Sequence, residues 1–127
     1  MCADRPEFTV RRVYDPPGPD DGTRVLVDRL WPRGVSKERA AVDEWPKSVT
    51  PSNELRRWYH ADRSRRADFA DRYAAELAAP EAREALAHLA ELARRGPVTL
   101  VTAVTDVAQS HVPILQAALT DFGPSGD

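Results

Sequence analysis

The chain has 127 residues and a mass of 14.1 kDa, is 42% hydrophobic and 30% charged, and carries a formal net charge of −2. That is the size and composition of one globular domain, read here as residues 1–127, with 1–7 and 123–127 expected to be flexible. No run approaches the ~18 apolar residues of a membrane span, and the charge balance speaks against broad attraction to nucleic acid or anionic lipid.

The lone cysteine, Cys2, cannot form an internal disulfide, a CxxC pair or a zinc cluster. Met1 to Val10 has no apolar core of the kind a secretory signal needs, so a cytoplasmic location is expected.

In chain order, Phe8 to Tyr14 suits a first strand, and the Pro/Gly/Asp-rich stretch 15–22 breaks it. Arg24 to Leu30 reads as a second strand whose apolar centre suggests burial on both faces. Ser36 is a candidate N-cap for a short helix through Val42. Thr50-Pro51 resembles an N-cap with proline at the first helical position, opening a helix with Leu55 and Trp58 on one face.

Ser64 to Ala79 predicts a longer helix with Phe69, Tyr73 and Leu77 on one stripe. After Pro80 comes a helix over Glu81–Arg95, stopped by Gly96-Pro97. Val98 to Ala103 is a third strand. The last helix ends near Asp121 and starts at either Asp106, with Gln109 completing a capping box, or Ser110, which puts Pro113 in the first turn.

The resulting fold class is α/β: a three-stranded, mostly parallel or mixed sheet covered by four to five helices. The second and third strands have ample chain between them for a parallel crossover. The nine residues 15–23 between the first two strands lean antiparallel, because parallel crossovers of neighbouring strands usually need a dozen or more. The expected core contains Leu26, Leu30, Trp58, Phe69, Tyr73, Leu86, Leu89, Leu100 and Leu115.

Two clusters carry chemistry. Asp28, Arg29, Trp31 and Arg33 follow the second strand, and in open α/β sheets ligands gather beyond the carboxyl ends of strands. Arginine forks hold carboxylate or phosphate in paired hydrogen bonds, so Arg29 and Arg33, with Arg12, are candidate anion binders. Asp28 is a candidate orienting group or base. The competing reading is a structural ion pair of Asp28 with Arg29 or Arg12.

Thr102, Thr105, Asp106, Gln109 and His111 follow the third strand. If the two strands are parallel neighbours, Thr102 and Asp106 face the first cluster and His111 can transfer protons, its imidazole kept neutral near a helix N-terminus. The competing reading is a capping network with a half-buried histidine.

A third segment, Arg56 to Arg66, interleaves arginines with Trp58 and Tyr59. Such a pattern can bind single-stranded nucleic acid, but without net positive charge a solvated helical junction is the better account. The three histidines lack metal-ligand spacing, and no metal or cofactor is expected.

The stretches Arg12-Val13-Tyr14-Asp15-Pro16-Pro17, Asp21-Gly22 and Arg24 through Glu38 resemble the YeaO-like family, a bacterial domain-of-unknown-function group. Trp45, Pro51-Ser52, Trp58, Asp62, Phe69, Tyr73 and Gly96 to Leu100 extend the resemblance to nearly the whole chain. It implies a single small, somewhat Rossmann-like α/β domain in a cytoplasmic bacterial protein, with parallel first and second strands.

The Asp28–Arg33 half of the candidate site matches the family. The other half departs from it: Gln109-Ser110-His111 stands where the family tends to a His-Asn arrangement, Thr102 where an aromatic is usual, Arg66 where tryptophan is common, and His60-Ala61 where the histidine falls one place later. The leading functional expectation is a small enzyme or ligand-binding protein for an anionic or polar small molecule. The alternative is a non-catalytic protein-interaction module using Trp31 and Trp45, and nucleic-acid binding ranks third.

Overall fold

The structure is a computed structural model that describes residues 8–122. The expected flexibility of 1–7 and 123–127, and Cys2, lie outside the described residues. Three strands, β1 (Thr9–Arg12), β2 (Thr23–Leu26) and β3 (Val98–Thr102), form one sheet in the order β1-β3-β2. Both pairings are parallel, with Val10 opposite Leu100 on one side and Val25 opposite Leu100 on the other. β3 is the centre and all five of its residues are buried, as a strand covered on both faces requires.

β1 and β2 are therefore parallel and not neighbours, which overturns the antiparallel expectation. The connection rule fails because it assumes adjacent strands with a helix between them. Here the strands have four residues each, so the return path is only about 13 Å along the sheet and about 10 Å across it. The ten residues from 13 to 22 can reach about 33 Å and need no helix. The turn into β2 depends on Gly22, whose φ is +64° and whose missing side chain lets the Pro97 carbonyl approach; Thr23 N–H then donates to that carbonyl at 3.0 Å.

β2 is shorter than expected. Val27 N–H still donates to Val101 O at 3.0 Å, but residues 28–30 bend out of the sheet. Leu30, expected in the core, is 60% exposed, because strand alternation ends where the sheet pairing ends. The outer edge of β2 is covered by Glu44, whose carbonyl accepts from Leu26 N–H at 2.9 Å.

Among the described residues, five α-helices surround the sheet: α1 (Lys37–Ala40), α2 (Asn53–Ala61), α3 (Arg66–Leu77), α4 (Pro80–Arg95) and α5 (Val112–Thr120). Alternate β3 residues enter two clusters. Val98 and Leu100 pack with Phe69, Tyr73, Leu86, Leu89, Leu115 and Leu119 from the long helices, while Val101 packs with Val13, Val35 and Ala40 on the other face. A buried Arg24 ties that second face together, donating to Ala40 O from Nε at 3.2 Å and Nη2 at 2.9 Å and pairing with Asp21.

Local signals hold where they are unambiguous. Ser36 caps α1, its Oγ accepting from Arg39 N–H at 3.1 Å, and Pro80 opens α4 at its first turn. The cap of α2 is Ser52 rather than Thr50: Ser52 Oγ accepts from Leu55 N–H, while Thr50 Oγ1 closes the preceding 3-10 turn on Lys47 O. Its buried stripe is Leu55 and Tyr59; Trp58 is only half-buried, with Arg72 and Arg65 over its ring at 4.2 and 4.9 Å. The last helix begins at Val112 with Pro113 in its first turn, and Asp106 offers no side-chain cap; its backbone carbonyl takes Gln109 N–H instead.

No helix among the described residues is long and apolar enough to cross a membrane.

Candidate functional site

Because β2 and β3 are parallel neighbours, the segments leaving their carboxyl ends emerge side by side. Asp28 is fixed by this adjacency. Its Oδ1 accepts from Thr102 Oγ1 at 2.6 Å and its Oδ2 from Ala103 N–H at 2.7 Å, and Trp45 Nε1 donates to its backbone carbonyl at 2.7 Å. Thr102 Oγ1 in turn accepts from Val104 N–H at 3.2 Å. The carboxylate thus braces the turn that leaves β3, and neither Arg29 nor Arg12 pairs with it among the described residues.

His111 completes this wall at the start of α5. Its Nε2 lies 2.6 Å from Val27 O and 3.7 Å from Asp28 Oδ1. A carbonyl only accepts, so Nε2 carries a proton, and in the neutral ring the lone pair is on Nδ1. The imidazole is 9% exposed, and burial pushes its pKa below the ordinary value; Arg56 and Arg66 push the same way against the raising effects of Val27 O and Asp28. Burial therefore outranks the helix terminus as the cause of neutrality.

These groups border a cavity of about 390 Å³. Its polar lining includes Asp28, Arg29, Arg56, His60, Arg63, Asp106 and His111; its apolar lining includes Leu30, Trp31, Pro32, Tyr59 and Val104. Arg29 reaches it from the bend after β2, with Nε donating to Pro51 O at 2.9 Å; its terminal nitrogens take no acceptor among the described residues. Thr105 and Gln109 also line the cavity.

Arg33 is exposed and outside the lining. Arg12 is outside it too, lying over the Tyr14 ring at 5.5 Å with its Nε buried and without an acceptor. Thr102 is fully buried behind Asp28 and bounds the cavity only through it.

Sequence reasoning missed the supporting roles of five residues. Glu76 of α3 takes the N–H and Oγ–H of Ser52 at 2.8 and 2.6 Å, which fixes the chain at Pro51 and so the seat of Arg29. Arg66 donates from Nη1 to the carbonyls of Gln109 and Ser110 at 2.9 and 2.7 Å, and Tyr59 O–H donates to Gln109 O at 2.8 Å. Together these fasten the β3–α5 loop to α2 and α3. Arg56 and Arg63 supply the cavity's remaining cations, and both press the pKa of His60 down after desolvation has done so. The arginine-rich segment 56–66 announced cations but not the targets of Arg66, the Gln109 and Ser110 carbonyls, which lie 43 and 44 residues away in sequence.

The two tryptophans offered as an interaction surface turn their indole N–H groups inward. Trp31 Nε1 donates to Val35 O at 2.6 Å, and the rings meet edge to face at 5.4 Å. Among the described residues no three His, Cys, Asp or Glu side chains converge as a metal ion would require.

Fold and site together define a small, all-parallel α/β domain with a cation-rich cavity at the carboxyl ends of its strands. Residues 7–123 match the family described as the inactive DUF488-N3 subclade, and the chain belongs to that family. It is 49% identical to an uncharacterized protein of Mycobacterium tuberculosis H37Rv over 110 residues, which covers 87% of this chain and 91% of that one. It is 45% identical to the uncharacterized protein YeaO of Escherichia coli K12 over 105 residues, 83% of this chain and 90% of that one. The YeaO-like resemblance is thereby established. No solved structure gives a significant match.

Proposed function

We propose that this protein binds a small anionic molecule in the cavity beyond β2 and β3 and does not transform it. The observation that carries the reading is the state of Arg29: its Nε is spent on Pro51 O, while its terminal nitrogens, at a cavity wall, have no acceptor among the described residues. A guanidinium anchored through Nε keeps its outer edge for a carboxylate or phosphate, and anchoring reduces the entropy lost when the ligand arrives. Three arginines against two aspartates leave the lining one positive charge.

Binding without chemistry is supported by how the candidate catalytic groups are used. Both oxygens of Asp28 already accept hydrogen bonds and the Nε2 proton of His111 is committed to Val27 O, so these groups hold the wall and only the Nδ1 lone pair of His111 stays uncommitted among the described residues. The description of the family as an inactive subclade agrees with this.

The test is a thermal-shift screen of carboxylated and phosphorylated metabolites. A ligand at 100 times its Kd stabilises the fold by about 2.7 kcal/mol, a rise of roughly 8–16 °C in Tm for a domain of this size. Arg29→Ala should stay folded and lose the response. An unfolded Arg29→Ala together with no shift in the wild type would return Arg29 to a purely structural role.

A further inference from the structure

We infer that the ligand of this cavity is an organic monoanion, a carboxylate on a compact apolar body, rather than an inorganic or multiply charged anion. The inference rests on the anion-binding reading above and concerns what else the cavity demands of its occupant.

Charge comes first. Arg29, Arg56 and Arg63 face Asp28 and Asp106, which leaves room to neutralise one negative charge and no more. Arg66 is outside this lining, and its Nη1 is taken by the Gln109 and Ser110 carbonyls, so it offers an occupant no hydrogen bond from that nitrogen. Nor do the two histidines, His60 and His111, whose imidazoles burial and neighbouring arginines keep from protonating near neutral pH. A dianion would bring an uncompensated charge into a partly desolvated site, where such charges are costly.

Shape and polarity come second. A cavity of about 390 Å³ falls in the range of small-molecule sites and is far larger than an acetate or a phosphate requires. The cations come from Arg29 and from the α2 end, whereas Leu30, Trp31, Pro32 and Val104 give an uncharged wall from the segments leaving β2 and β3. Leu30 is 60% exposed on that wall, an apolar side chain left largely in solvent. A bare anion would satisfy the arginines and leave this wall against water. An apolar body would cover it and gain the free energy of removing that surface from solvent.

The experiment is isothermal titration of the protein with four probes: acetate, benzoate, phthalate and benzamide. Benzoate is expected to bind at least tenfold tighter than acetate and tenfold tighter than uncharged benzamide, with the dianion phthalate no tighter than benzoate. Leu30→Ser, a surface change, should weaken benzoate several-fold and leave acetate unchanged. Acetate equal to benzoate, or Leu30→Ser without effect on benzoate, would overturn the apolar-body inference while the anion site stands. Phthalate tighter than benzoate would overturn the single-charge inference alone. Benzamide as tight as benzoate, or no binding by any probe, would overturn this inference and the anion-binding reading together.

Discussion

Asp28→Ala takes an acceptor away from two donors at once. Thr102 Oγ1–H and Ala103 N–H lose bonds of 2.6 and 2.7 Å, both to a carboxylate whose side chain is 13% exposed. A hydrogen bond to a charged group contributes about 1.5–3 kcal/mol. The pair therefore represents about 3–6 kcal/mol, less whatever water recovers on entering from the cavity side, so a loss of about 3–4 kcal/mol is expected. At about 3–6 °C per kcal/mol for a chain of this length, Tm should fall by about 10–20 °C.

Asp28→Asn separates charge from bracing. Its amide oxygen can still take Ala103 N–H, and its NH2 can donate to Thr102 Oγ1, which leaves only the threonine proton without its acceptor. The expected cost is about 1–2 kcal/mol. Urea denaturation of wild type, Asp28→Asn, Asp28→Ala and Thr102→Val checks the series, with Thr102→Val near the Asn variant. If Asp28→Ala is as stable as the wild type, Asp28 does not brace the β3 turn and the assignment of its oxygens is wrong. If Asp28→Asn is as unstable as Asp28→Ala, the charge itself and not the geometry holds the turn.

Two further outcomes follow from the same geometry. His111 has a folded pKa below its ordinary value of 6.5, so the unfolded chain takes up its proton first as pH falls. The stability associated with neutral His111 is full above pH ~6.5 and is lost on acidification below it; urea midpoints between pH 7.5 and 5 should decline, and His111→Gln should flatten that slope. A slope unchanged by His111→Gln would assign it to other groups, with the more exposed His60 the next candidate. Gly22→Ala places a Cβ against the Pro97 carbonyl at a φ of +64°, and a loss of at least about 2 kcal/mol is expected in thermal or urea unfolding. A Gly22→Ala protein of wild-type stability would show that the β2 entry turn is not held as described.

The sequence by itself determined what local chemistry determines. Apolar runs bounded by proline and glycine located three strands, the four-residue spacing of Phe69, Tyr73 and Leu77 set the buried stripe of α3, and the hydroxyl of Ser36 marked a helix start. The order of those elements gave the α/β class, and the Asp28–Gly34 stretch carried the family resemblance. The candidate site was legible as two clusters because both follow strands whose apolar centres required burial.

Tertiary structure alone decided the rest. The order β1-β3-β2 is a choice among pairings that no local signal encodes, since backbone hydrogen bonding is identical for either neighbour. That choice makes β2 and β3 parallel partners and commits Asp28 to Thr102 and Ala103, seventy-four and seventy-five residues away, instead of to Arg29 or Arg12. It likewise sends Arg66 into carbonyls of the β3–α5 loop, and it exposes Leu30 by ending β2 at Leu26, with Val27 N–H making the last sheet bond. A side chain's chemistry is fixed by its type, but its partners are fixed by which distant backbone groups folding leaves without hydrogen bonds nearby, and those are known only once the strands have paired.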